Sequence, residues 1–154
     1  EGGGAAAPRA EALLDEMRAS GVPRNIVTYN CALNACAKGD APERARALLS
    51  AMRDDGVRPD RRSYNSAMDA HARRGEARQV DELLVEMRAA KLEPERMQYD
   101  CALRAAAKSG DFDRAHELLD EMVSRGIEPD QRAYTAVFGR LGAAWRRGCS
   151  ALDE

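Results

Sequence analysis

The chain has 154 residues, with 24 Lys and Arg against 26 Asp and Glu and a formal net charge of -2, a balance that argues against a generic binder of polyanions. Aromatic residues make up only 5% of it, so a core has to be built from Ala, Leu, Val and Met, and no apolar run is long enough to read as a membrane span. Cys31, Cys36, Cys101 and Cys149 form no CxxC pair and follow no metal-ligand spacing, so they read as reduced and mostly packed small hydrophobes.

Residues 1–8, EGGGAAAP, read as a flexible Gly-rich lead. The chain opens on Glu1 without a Met and shows no targeting segment, so the true N-terminus is expected to lie upstream. Residues 9–25 form a partial unit. Leu13, Leu14 and Met17 share one helical face there, and Gly21 ends the helix.

From Ile26 onward the landmarks return at a fixed step. Tyr29, Tyr64, Tyr99 and Tyr134 are 35 residues apart, as are Met17, Met52, Met87 and Met122, and Pro59, Pro94 and Pro129 keep the same register. A period in this range marks stacked supersecondary units. The first full repeat, residues 26–60, divides at Lys38-Gly39-Asp40: Tyr29, Leu33 and Cys36 mark one amphipathic helix, and Ala45, Leu48, Leu49 and Met52 a second. Gly56 supplies a left-handed stop, Pro59 prevents continuation, and Asp60 is placed to cap the next helix.

The second repeat, residues 61–95, keeps the plan, except that Lys91-Leu92 replaces Gly-Val at its close, which predicts a less well specified turn. The third, residues 96–130, ends in Gly126 and Pro129. A fourth begins in residues 131–154 with Tyr134, Val137, Phe138 and Leu141, after which the register dissolves. Trp145 either covers the end of the last hairpin or belongs to a frayed tail. Each unit is a helical hairpin that cannot bury its apolar face alone, so the expected fold is all-α: a right-handed α-solenoid of stacked 35-residue hairpins.

Charge is segregated along this plan. First-helix segments 26–39, 61–74, 96–109 and 131–147 carry +1, +3, +2 and +4, whereas second-helix segments 40–60, 75–95 and 110–130 carry -1, -3 and -5. Stacked hairpins place first helices on one surface and second helices on the other. One face is therefore expected to be basic, with a local field that suits phosphate. The plainer account is that the acidic helices are simply solvated.

The unit formed by VTYN at Val27–Asn30, the Lys38-Gly39 turn, ALLSAM at Ala47–Met52 and GVRPD at Gly56–Asp60 resembles the pentatricopeptide repeat. The step of 35 separates it from the tetratricopeptide repeat, with its period of about 34. The resemblance covers Arg9 to about Leu141. It implies single-stranded RNA as partner, with each repeat reading one base through two or three side chains.

By that resemblance the residue after the repeat's Tyr and the last residue of the repeat form the reading pair. These are Asn30 with Asp60, Asn65 with Glu95, and Asp100 with Asp130, followed by Thr135, whose partner position falls past residue 154. Asn30 with Asp60 implies a pyrimidine, uracil preferred. Asn65 with Glu95 is longer by a methylene, Asp100 with Asp130 offers no donor when both are ionised, and Thr135 implies a purine. Asn25 is the orphan partner of the preceding partial unit.

The resemblance also assigns base clamping to Val27, Arg62, Met97 and Arg132, of which only Val27 and Met97 have the usual aliphatic character, although a guanidinium can stack on a base. It assigns phosphate contact to Lys38, Arg73 and Lys108, with Ala143 departing from the pattern. The helix macrodipole alone also favours a cation at those helix ends.

No catalytic constellation is legible, and no enzyme activity or cofactor is expected. His116-Glu117 opens like a metalloprotease helix, but Asp120 stands where the second His belongs. His71 has no acidic partner at a recognisable spacing and reads as a packed or surface histidine. The expected function is sequence-selective RNA binding in organellar transcript processing, stability or translation, in a mitochondrion or plastid by resemblance. The alternative is a scaffold that takes a protein or peptide in the same concave groove; neither DNA nor a membrane is expected as partner.

Overall fold

The computed structural model describes residues 6–138, and within them every regular element is a helix. In chain order these are α1 (Ala6–Ala19), α2 (Ile26–Lys38), α3 (Pro42–Asp54), α4 (Arg61–Arg74), α5 (Ala77–Ala89), α6 (Arg96–Ser109) and α7 (Phe112–Ser124). Residues 131–138 are helical and open α8. The first helix reaches back into the stretch expected to be a free lead. Pro8 falls in its first turn, where no backbone donor is needed, and Ala7 is buried.

The last residue of one unit starts the next helix. Asn25 Oδ1 accepts from the Thr28 amide at 3.0 Å, Asp60 Oδ1 from the Ser63 amide at 2.9 Å, and Asp130 Oδ1 from the Ala133 amide at 2.9 Å. Thr28 and Ser63 return a bond to the cap backbone, so α2 and α4 each begin in a capping box. At α6 the Gln98 side chain accepts from the Glu95 amide at 2.9 Å.

Second helices close through one repeated bond, from Val22 to Met17, Val57 to Met52, Leu92 to Met87 and Ile127 to Met122, at 2.8, 2.9, 3.0 and 2.9 Å. Gly21, Gly56 and Gly126 take the left-handed backbone that this closure requires, and Lys91 takes it too, at φ 61°. The expectation of a poorly specified turn at Lys91-Leu92 is therefore wrong. The partly buried Leu92 side chain, packed against the core, and its backbone bond hold the turn in place despite the Cβ. In the first repeat the left-handed residue before the second helix is Asp40, not Gly39, an exchange that Asp tolerates.

Helices α2, α4 and α6 lie side by side, while α3 and α5 each pack on their own first helix and on the next one, α4 and α6. The buried Ala32, Ala67 and Ala102 suit close approach along the row of first helices. Tyr29, Tyr64 and Tyr99 are fully buried in one core cluster that also holds Leu33, Met68, Leu83, Met87 and Leu103. Their hydroxyls tie the units together. Arg53 donates to Tyr64 Oη at 2.9 Å and to Glu86 at 2.8 Å, and one repeat later Arg88 donates to Tyr99 Oη at 3.3 Å and also pairs with Glu121. In the first repeat Tyr29 donates to Asp55 at 2.6 Å beside the Arg24–Asp55 pair; burial and that bond push its phenol up to about 12.

His71 is packed, one of the two readings its sequence offered, but it does have an acidic partner. It is fully buried, and its Nδ1 lies 2.6 Å from Glu76 Oε2. The spacing is hidden in sequence because the left-handed Gly75 folds Glu76 back over the helix end.

Candidate nucleic-acid interface

The row of first helices positions the expected reading residues one helical turn inside each unit, with the helix caps beside them. Asn30 and Asp60 come together: Asn30 Nδ2 donates to Asp60 Oδ1 at 3.2 Å and Oδ2 at 3.4 Å, and Ser63 Oγ donates to Asn30 Oδ1 at 2.6 Å. Burial alone would raise the Asp60 carboxyl, but the bonds from Ser63 and Asn30 together hold it below the ordinary carboxylate value. The pair thus presents an amide oriented by a fixed anion, with both polar atoms pre-positioned by the capping box.

Asn65 and Glu95 are arranged differently. Glu95 pairs with Arg61 at 3.2 Å, and Asn65 Oδ1 lies 3.8 Å from Cys101 Sγ. The first repeat has Ile26 at the register position of Arg61, so Asp60 has no such guanidinium to pair with. In the third unit, Asp130 is committed to its cap bond, whereas Asp100 Oδ1 is buried with no hydrogen-bond partner. Burial, then the neighbouring Asp130 charge, raises the Asp100 carboxyl above its ordinary value. Thr135 donates back to the Gln131 carbonyl of its own helix at 2.6 Å.

The four expected clamp residues fall at one register position of α2, α4, α6 and α8, and all are exposed; Val27 is 63% and Met97 60% accessible. Two hollows lie between successive first helices. One is lined by Asn30, Asn34, Arg62, Asn65, Glu95 and Met97, the other by Asn65, Asp69, Met97, Asp100, Arg104 and Arg132. Each hollow is therefore lined by expected reading residues together with Met97 and one of the guanidiniums Arg62 and Arg132.

The three expected phosphate contacts are not equivalent. Lys38 is exposed and has no ion pair among the described residues. Arg73 pairs with Asp69 at 3.0 Å, and the Lys108 ammonium donates to the Arg73 carbonyl. Lys108 also lies across Gly75, where an added Cβ would meet its Cγ at 3.0 Å. The basic face is partly neutralised in the same way, since Arg104 pairs with Asp69 at 2.5 Å and Arg74 with Asp40 at 3.1 Å.

Sequence reasoning missed the line formed by Asn34, Asp69 and Arg104. These stand five residues after each Tyr and line the same hollows. Their register was visible, but nothing in three unlike side chains marked them as neighbours. Ala143, Trp145 and Cys149 lie outside the described residues, as does Leu141. Among the described residues no group of His, Cys, Asp and Glu is arranged to hold a metal ion, and no helix is long and apolar enough to cross a membrane.

The PPR repeat family matches residues 24–73 and 97–142, more than half the chain, and a PPR repeat matches residues 62–92. No curated protein matches the chain. Among solved structures, the pentatricopeptide repeat protein PPR10 from maize superposes with a TM-score of 0.81 at 24% identity, over 94% of this chain and 21% of that one. PPR10 in complex with an 18-nt psaJ RNA element gives 0.74 at 24% identity, over 85% of this chain and 19% of that one. The PPR domain of Arabidopsis thaliana protein-only RNase P 1, in complex with tRNA, gives 0.77 at 21% identity, over 92% of this chain and 75% of that one. The chain thus spans about a fifth of the maize protein and three quarters of the Arabidopsis domain, and these likenesses establish the α-solenoid fold. With the family match over most of its repeats, the chain belongs to the pentatricopeptide repeat family.

Proposed function

We propose that the chain is a sequence-selective module for single-stranded RNA, holding one base in each hollow of the first-helix row. The observation that carries this reading is the Asn30–Asp60 pair, whose 3.2 Å contact fixes the half-buried Asn30 amide, part of a hollow's lining, beside an anion. Such an edge offers donor and acceptor to the Watson–Crick edge of a base, and the pyrimidine preference follows from the family resemblance. The maize structure with a bound RNA element supports the same use of the fold. The exposed walls formed by Val27, Arg62, Met97 and Arg132 provide an aliphatic and a guanidinium surface for stacking. Occupying a transcript in this way serves its processing, stability or translation, in a mitochondrion or plastid.

Stacking and clamping contribute about 1 to 3 kcal/mol per base. Three readable repeats therefore supply about 3 to 9 kcal/mol before ordering costs, which corresponds to micromolar affinity at best. The test is a titration of the chain with fluorescent U-rich, C-rich and A-rich oligomers at low and physiological salt. Salt-sensitive binding that prefers pyrimidines and weakens at least about fivefold in Asn30→Ala is expected. No binding to any oligomer, even at low salt, refutes the reading and turns attention to a protein ligand for the groove.

A further inference from the structure

The third reading pair breaks the pattern of the first, and its surroundings suggest how it still functions. Asp100 occupies the register position of Asn30, and Asp130 that of Asp60. In the first repeat the reading residue donates from Nδ2 and the cap residue accepts. In the third, Asp130 keeps its role, accepting from the Ala133 amide at 2.9 Å, but Asp100 when ionised has nothing to donate. Its Oδ1 is nevertheless turned inward, without solvent contact and without a hydrogen-bond partner. A buried, unpaired carboxylate oxygen facing a second carboxylate is a costly arrangement, which a proton on either group relieves.

We propose that Asp100 reads its base as the neutral acid, its single hydroxyl donating to the base as the second Nδ2 hydrogen of Asn30 can in the first repeat, while Asp130 keeps its cap bond to the Ala133 amide. This inference rests on the base-reading function proposed above. The proton comes from water, and no other bond is made or broken. The charged and titratable groups around Asp100 are of both signs. Asp130 opposes it from the start of α8, together with Arg132; Arg96, Cys101 and Arg104 share its own helix; Asp69 faces the same hollow from α4. Of the three guanidiniums that would hold the carboxylate ionised, two are committed elsewhere: Arg104 to Asp69 at 2.5 Å and Arg96 to the Glu128 carbonyl at 2.9 Å. Burial and the Asp130 charge outweigh them, and the carboxyl is raised. A phosphate chain entering the groove adds negative charge and stabilises the neutral acid further. The third slot therefore reads more strongly as pH falls.

The test combines two measurements on the full chain. Side-chain carboxyl NMR follows the titration of Asp100, and fluorescence titration with single-stranded oligomers follows affinity from about pH 4 up to 8 in the native chain, Asp100→Asn and Asp130→Asn. Asp100 is expected to titrate above the other carboxylates. Native affinity is expected to rise as pH falls, while Asp100→Asn stays nearly flat and binds about three- to tenfold tighter at the upper end. Asp130→Asn keeps a capping side chain but removes the like charge, and should move the native dependence to lower pH. Asp100 titrating with ordinary carboxylates, or native and Asp100→Asn affinities moving in parallel with pH, overturns this inference while leaving the base-reading function intact. No binding by any of the three chains at any pH overturns the base-reading function and this inference with it.

Discussion

Asp60 caps α4 and also orients Asn30, so two substitutions at this one position separate folding from recognition. Asp60→Ala removes the acceptor for the Ser63 amide at 2.9 Å, for Ser63 Oγ at 3.0 Å and for Asn30 Nδ2 at 3.2 Å. Loss of such a cap costs about 1 to 2 kcal/mol. The freed Asn30 amide is half-buried and can turn to water, so it adds little. For a chain of this size the loss corresponds to a fall of about 2 to 8 °C in melting temperature. Asp60→Asn keeps an oxygen for the Ser63 amide and caps about as well, so its stability should stay within about 0.5 kcal/mol of native.

The pH dependence has a definite sign. The folded Asp60 carboxyl lies below the reference value of 3.8, so its contribution is present above that value and is lost as pH falls through the folded value. Asp60→Asn should lack this component. Urea unfolding followed by far-ultraviolet circular dichroism, repeated at neutral and acid pH, measures all of this. Equal destabilisation by Ala and Asn, or by neither, would refute the capping argument.

Lys91→Gly should stabilise the chain by about 0.5 to 1 kcal/mol in urea unfolding, because φ 61° costs a residue with a Cβ but not glycine; a loss of stability would show that the Lys91 side chain contributes more than its backbone costs. Leu83 is fully buried, so Leu83→Ala should cost about 2 to 5 kcal/mol, with hydrogen exchange accelerating most in α4, α5 and α6; uniform acceleration along the chain would contradict nearest-neighbour coupling. Tyr29→Phe should remove one of the late phenol titrations, since the folded phenol is pushed up to about 12. Its stabilising effect is present below the unfolded value of 10 and is lost as pH rises towards that folded value, so the native chain should lose stability relative to Tyr29→Phe in alkali. Arg62→Ala should weaken RNA binding about equally for all base compositions, as expected of a stacking wall; loss confined to one base would make Arg62 a reader instead.

The hairpin array was legible because a repeated landmark is a one-dimensional signal. Tyr29, Tyr64 and Tyr99 recur at one step because each fills the same buried space, and the periodicity of apolar residues between them defines a helix pair. The Asn30–Asp60 contact was anticipated through the family resemblance, which pairs the two positions, while register by itself placed only Asp60 at a helix start.

What depended on side-chain reach was not legible. Sequence spacing placed Arg73 and Lys108 as equivalent cations, yet one is held by Asp69 a turn away and the other donates to the carbonyl of Arg73 one repeat earlier. It marked Asn65–Glu95 as longer than Asn30–Asp60 by a methylene, but not that Glu95 pairs with Arg61, a position that Ile26 holds in the first repeat. It left His71 without a partner and Lys91 with a weak turn, because both depend on how the backbone reverses at a helix end. Periodicity by itself determined which residues share a face. Only the tertiary structure decided which charges on that face are already paired, because long flexible side chains choose partners by distance in space rather than by separation along the chain.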